Sequence, residues 1–169
     1  MPELPDITVY VESLDAKVRG DTLRRVRVAS PFLLRTAVPP ITSAEGKQVV
    51  GTRRLGKRVV IALESDLFLV LHLMIAGRLH WHAAIGKPPA KAALATFEFN
   101  GGTLAFTEAG TQRRASLHLV SGRDALVAMD PGGIDVMHCT SAEFAAQLAA
   151  ENHTLKRSLT NPQLFSGIG

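Results

Sequence analysis

The chain is 169 residues long, 46% hydrophobic, and carries a net charge of +4, which suits one sizeable core or one domain with an appendage. No run is long and apolar enough to cross a bilayer, and no basic region followed by an apolar run marks a secretory signal, so a cytoplasmic location follows by default. Cys139 is the single cysteine, which excludes an internal disulfide and a cysteine-rich zinc site.

The charge is unevenly spread. Arg19, Arg24, Arg25, Arg27, Arg35, Lys47, Arg53, Arg54, Lys57 and Arg58 face only Asp21 and Glu45 over that stretch. Such a block is an electrostatic footprint for a polyanion, or a solvated basic face.

The chain opens Met1-Pro2-Glu3-Leu4-Pro5-Asp6. With Met1 removed, Pro2 presents a secondary amine. An α-amino group has a pKa of about 8, so a useful fraction is unprotonated near neutrality. Such an amine can attack a sugar aldehyde carbon and form a Schiff base. The pyrrolidine ring makes the product an iminium, a strong electron sink, and Glu3 can move protons at that centre. The plain alternative is a frayed start with Pro5 in the first turn of a helix.

Ile7, Tyr10, Val11, Leu14 and Val18 recur at helical spacing, predicting a helix over Asp6–Val18 stopped by Gly20. It would carry the N-terminus to a fixed place on the core, which a terminal nucleophile requires. Short strands follow: Leu23–Val28, Lys47–Arg54, Lys57–Leu63, Leu67–Leu73, Arg78–His82, Thr96–Phe99, Thr103–Phe106 and Leu117–Val120. Phe32–Arg35 between prolines is a loop-bound segment, and Asn100-Gly101-Gly102 is a strong hairpin signal. This texture predicts an α+β protein: an N-terminal two-layer antiparallel β-sandwich with an N-terminal helix. Asp130-Pro131-Gly132-Gly133 is the linker candidate, dividing residues 1–129 from a helical segment over 130–169. There Thr140 and Glu143 have capping-box spacing before an Ala-rich helix, and Thr154 caps a shorter one running through Leu159.

Four separated pieces occur together: Pro2-Glu3-Leu4-Pro5, Arg54-Leu55-Gly56-Lys57, His72-Leu73-Met74-Ile75-Ala76-Gly77-Arg78, and Leu155-Lys156 followed by Ser166-Gly167-Ile168-Gly169. In order and near spacing they resemble the formamidopyrimidine-DNA glycosylase / endonuclease VIII family of base-excision repair enzymes. The resemblance implies a two-sheet N-terminal domain, a helix–two-turn–helix domain, and usually a zinc or zincless finger beyond it. It implies double-stranded DNA with damaged bases or abasic sites as partner, the damaged nucleotide being flipped out of the stack. Pro2 is then the nucleophile, Glu3 the proton donor and shuttle, and Lys57 the lysine that holds phosphate at the lesion. Met74 or Ile75 would fill the gap left by the flipped base. Arg113 and Arg114 match a loop that contacts the orphaned base. Lys156 matches a basic residue near the DNA backbone or lesion, and Arg54 is carried over as a DNA-binding residue.

The departures are specific. Asp6 stands where the family often has Glu, and Thr8 where it often has an acid. The family's His-Leu-Gly-Met-Ser-Gly reads His72-Leu73-Met74-Ile75-Ala76-Gly77, and its Arg-Arg-Phe-Gly reads Arg113-Arg114-Ala115-Ser116, so the stacking ring is missing. The family continues past Gly-Ile-Gly, so the helical domain is expected to be partial and this chain alone weak or inactive. No cofactor is expected within it, zinc belonging to a finger beyond. His80 and His82 share a strand face without a third ligand, so no metal site is expected. A monomer in the bacterial cytoplasm and nucleoid is expected, and the alternative function is a non-catalytic module that binds damaged DNA.

Overall fold

The computed structural model describes residues 2–84, 93–110 and 112–169. Helix α1 spans Leu4–Val18, two residues earlier than the apolar spacing predicts. The reason is local. Glu3 is the N-cap, and Asp6 sits in the first turn as its reciprocal partner in a capping box. Ile7, Leu14 and Val18 form the buried stripe of the helix.

Eight strands follow: β1 Leu23–Val28, β2 Val49–Leu55, β3 Arg58–Leu63, β4 Leu67–His72, β5 Gly77–His82, β6 Ala93–Phe99, β7 Gly102–Glu108 and β8 Ser116–Ser121. They form two four-stranded sheets, ordered β1-β6-β7-β5 and β2-β3-β4-β8. Every pairing within these two sheets is antiparallel. The predicted sandwich is therefore present. Its core joins the inner faces of both sheets to α1, with Phe97, Phe99 and Phe106 from one sheet and Ile61, Leu69 and Leu71 from the other. Leu23 and Val26 both point inward although three residues apart. A bulge between Leu23 and Arg25 resets the alternation.

β4 is apolar on both faces because both are covered. Val60, Phe68 and Val70 point away from the sandwich core and pack with Leu126 of a short helix, α2, Arg123–Val127. Five residues give no readable helical period, so the sequence did not predict α2.

Beyond residue 130 the order is β9 Ile134–Asp135, α3 Ser141–Ala149, α4 Leu155–Thr160 and β10 Phe165–Ser166. Thr140 caps α3 with the predicted capping box, and Thr154 caps α4. β9 and β10 pair in parallel, Ile134 with Phe165 and Asp135 with Ser166. Phe144 of α3 packs on Phe165 with ring centroids 4.8 Å apart. Among the described residues no helix is long and apolar enough to cross a membrane.

The basic block does not form one face. Arg19 pairs with Asp15, Arg27 with Glu98 and Arg54 with Asp135. β1 and β2 lie in different sheets, which separates Arg24, Arg25 and Arg27 from Arg53 and Arg54.

Candidate active site

The N-terminus is held before any chemistry is considered. Pro2 is buried. The Glu3 amide donates to Asp6 Oδ2 at 3.0 Å, and the Leu4 amide donates to the Gly167 carbonyl at 3.0 Å. Helix-start amides have no partner within their own helix; here one is satisfied from the far end of the chain. Met1, whose removal the proline chemistry needs, lies outside the described residues.

Lys57 is presented by a two-residue hairpin loop. Leu55 pairs with Arg58 across Gly56-Lys57, and Gly56 adopts φ +58. That is the first central position of a tight hairpin turn, where glycine relieves the steric cost of positive φ. Burial holds the Lys57 amine below its ordinary lysine range, and the nearby Glu3 carboxylate offsets part of that effect. The two side chains named from opposite parts of the sequence are therefore electrostatic neighbours.

Lys57 lines a cavity of about 190 Å³ together with Arg58, His72, Met74, Ser166 and Gly167, among others. Cross-strand register sets Arg58 opposite His72, and His72 opposite Ser116. Burial, and then the charges of Arg58, Lys57 and His118, push the His72 imidazole down to about 4. It is a neutral ring at physiological pH. A second, wider hollow of about 690 Å³ lies between α1 and the 137–138 segment, lined by Leu4, Thr8, Arg54 and Met137 among others.

The β4–β5 connection separates the two wedge candidates. The Gly77 amide donates to the Leu73 carbonyl at 2.9 Å, closing a tight turn, and any Cβ on Gly77 would collide with that carbonyl. Met74 takes φ +54 and lines the cavity. Ile75 is 55% exposed at the tip.

The loop after β7 is tethered by a buried acid. Glu108 is 3% exposed, and its carboxylate accepts hydrogen bonds from the Arg114 amide at 3.0 Å and the Ala115 amide at 3.1 Å. Arg113 and Arg114 are exposed, while Ala115 is buried. The position where the family carries a stacking ring thus turns into the core. Lys156 is exposed on α4 and is not among the residues lining the cavity.

Arg54, carried over as a DNA-binding residue, is engaged within the protein. Its guanidinium turns inward, with Nη2 2.7 Å from Asp135 Oδ2, and Nη1 donating to Ser166 Oγ at 3.2 Å and the Gly56 carbonyl at 3.3 Å. Arg58 and His118 belong to no sequence motif, and His72 enters only as the first residue of one. Strand alternation places them with Val60 and Val70 on the outward face of their sheet, but their convergence depends on pairing that no sequence window contains. His118 Nδ1 is buried without a hydrogen-bond partner. Among the described residues no group of three or more His, Cys, Asp or Glu is arranged to hold a metal ion.

A helix clamped at its first turn, whose N-cap acid acts on a cavity-lining hairpin lysine of a two-sheet sandwich, defines a narrow class. The chain belongs to the formamidopyrimidine-DNA glycosylase family: the model of the formamidopyrimidine-DNA glycosylase N-terminal domain matches residues 1–115. The formamidopyrimidine-DNA glycosylase of Mycoplasmopsis pulmonis is 28% identical over 177 residues, covering 100% of this chain and 62% of its own length. That of Mycobacterium sp. strain KMS is 32% identical over 195 residues, with 100% and 63% covered. The chain therefore spans less than two thirds of the length of these curated relatives. The Lactococcus lactis enzyme bound non-covalently to DNA containing an abasic site superposes with a TM-score of 0.85 at 20% identity, covering 99% of this chain and 65% of that one. MutM in complex with DNA carrying carbocyclic 8-oxo-G gives 0.86 at 21%, covering 99% and 64%. These two superpositions show a shared fold.

Proposed function

We propose that the protein is a bifunctional DNA glycosylase and abasic-site lyase of base-excision repair, acting on double-stranded DNA with oxidised bases or abasic sites. The observation that carries this reading is the Leu4 amide clamped to Gly167, which lines the same cavity as Lys57, with the carboxylate of the N-cap Glu3 acting on the Lys57 amine.

In this reading the Pro2 nitrogen attacks the sugar carbon bearing the damaged base. The glycosidic bond breaks and the base departs with a proton. The opened sugar is held as an iminium on the pyrrolidine ring, which draws electrons from the neighbouring carbon so that loss of a proton there expels the 3′ phosphate. Glu3 delivers and removes protons. Lys57 neutralises the phosphate beside the lesion, and the neutral His72 ring offers a hydrogen bond without adding charge. Met74 borders the site while Ile75 enters the stack. Arg113 and Arg114 face the orphaned base, and Lys156 contacts the backbone. We place residues 1–129 as the catalytic domain and 130–169 as part of the helix–two-turn–helix domain. We further propose that the protein acts as a monomer on DNA in the bacterial cytoplasm.

Buried Ala115 supports a second reading, a damaged-DNA-binding module without catalysis, because the loop offers no ring to hold the gap open. One experiment decides between them. Met1-free protein of full natural length is incubated with duplex DNA containing an abasic site, reduced with borohydride, and the adduct located by peptide mass. An adduct on Pro2 that disappears in Pro2→Gly supports the enzyme. Salt-sensitive binding with no adduct leaves the binding module.

A further inference from the structure

We propose that Arg54 and Asp135 are a positioning pair that sets the N-terminal amine and Glu3 against Lys57; this rests on the enzymatic reading above. Arg54 is the penultimate residue of β2 and its side chain is 19% exposed. Its one guanidinium reaches two structures at once.

On one side it donates to the Gly56 carbonyl, within the hairpin loop that presents Lys57. On the other it grips Asp135 and Ser166, which are direct partners in the β9–β10 ladder. The residue after Ser166 is Gly167, whose carbonyl accepts the Leu4 amide. Gly167 also packs closely on both parties: a Cβ there would stand 3.0 Å from Leu4 Cβ and 3.3 Å from Arg54 Nη1. Leu4 is two residues from Pro2. A short rigid path therefore runs from the Lys57 turn through Arg54, Ser166 and Gly167 to the first turn of α1.

Asp135 fixes that path from its own side. Its other carboxylate oxygen accepts the Met137 amide at 3.0 Å, and the oxygen that pairs with Arg54 lies 3.3 Å from His138 Nδ1. The acid is thus oriented before it meets the guanidinium. A planar fork with several donors suits this task; a lysine has one charged point to offer three acceptors.

The chemistry needs such a path because the nucleophile and Lys57 are far apart in sequence and sit on separate elements. Displacements of about 1 Å at a reacting centre cost on the order of 100-fold in rate. Arg54 touches neither substrate nor reacting atoms in this scheme, so its effect falls on the rate constant at saturating DNA and not on DNA affinity.

The test measures single-turnover borohydride trapping on abasic-site duplex at saturating DNA, for the parent, Arg54→Ala, Asp135→Asn and Arg54→Lys, with thermal unfolding and equilibrium DNA binding on each. Arg54→Ala is expected to lower the trapping rate constant about tenfold or more, and Asp135→Asn by a smaller factor. DNA affinity should stay within about twofold, and Arg54→Lys should recover part of the rate. A purely structural role would lower the unfolding midpoint and the trapped fraction while leaving the rate constant of the folded molecules unchanged, which overturns the proposal. So does a loss confined to DNA affinity, which would return Arg54 to DNA binding. If Arg54→Ala does not fold, Asp135→Asn decides by the same criterion. All four proteins are prepared Met1-free and at full natural length: no adduct from that parent removes the enzymatic reading and this inference together, whereas a normal parent with unaffected variants removes only the inference.

Discussion

His72 makes the stability of the molecule depend on pH in a direction that can be worked out beforehand. Its imidazole is held at about 4 against an ordinary 6.5, by burial first and then by the positive charges of Arg58, Lys57 and His118. Above pH 6.5 the ring is neutral in folded and unfolded chains alike and contributes nothing. As pH falls from 6.5 toward 4 the unfolded chain takes up a proton that the folded chain refuses, so stability is lost across that window and levels off below it. A shift of this size corresponds to about 3 kcal/mol at most. Solvent screening of a partly exposed ring reduces it to about 1–2 kcal/mol, or roughly 3–6 °C in melting temperature for a chain of this length. The assay compares thermal unfolding of the parent and His72→Gln at about pH 7 and about pH 4.5. Carboxylates titrating in the same range act on both proteins and cancel. The parent should lose more stability on acidification than the variant by that margin; equal losses would refute the reasoning.

Two further substitutions probe the turns around the site. Met74 adopts φ +54, so Met74→Gly should be more stable than Met74→Ala by about 1 kcal/mol, the reverse of the order in ordinary strands, as read from urea midpoints. Glu108→Gln, which removes the charge and puts an NH2 donor where Oε2 accepts the Ala115 amide at 3.2 Å while Oε1 still accepts the Arg114 and Ala115 amides, should cost about 1–2 kcal/mol and speed hydrogen exchange at the Ala115 amide.

Strands were readable from the sequence where turn chemistry punctuates them. Asn100-Gly101 falls between paired strands as expected, whereas the strand expected to open at Lys57 starts at Arg58, so that loop is Gly56-Lys57 and not Leu55-Gly56. What could not be read depends on contacts distant in the chain. The two-residue β9 and β10 have no pattern of their own, since each exists only because the other lies beside it. The start of α1 was misplaced because Glu3 and Asp6 invert the usual capping residues. Arg54 shows the general difficulty most clearly. It stands in a basic run and has the composition of a DNA contact, yet its nearest acid is Asp135, placed by β9, a strand with no sequence signal. Lys57 and Glu3 were found because a motif names them. Arg58 stands in no such role, and His72, though it opens a motif, meets Arg58 only through the strand register.

The backbone at the site favours defined geometry over local conformational ease. Lys57 follows a glycine at φ +58, Met74 carries a left-handed backbone without being glycine, and Gly167 sits at φ +91 against Leu4. Left-handed backbone is costly for a side chain such as that of Met74. Such conformations persist only where surrounding contacts over-determine them, and each of these has its contact: the Leu55–Arg58 pairing, the Gly77–Leu73 hydrogen bond, and the Leu4–Gly167 hydrogen bond. All three border the same cavity, and the buried Pro2 lies two residues from the last of them. The residues that would do chemistry are thus carried on turns whose flexibility has been removed from outside. A terminal amine, ordinarily the loosest group in a chain, can then be aimed as well as a side chain in a core.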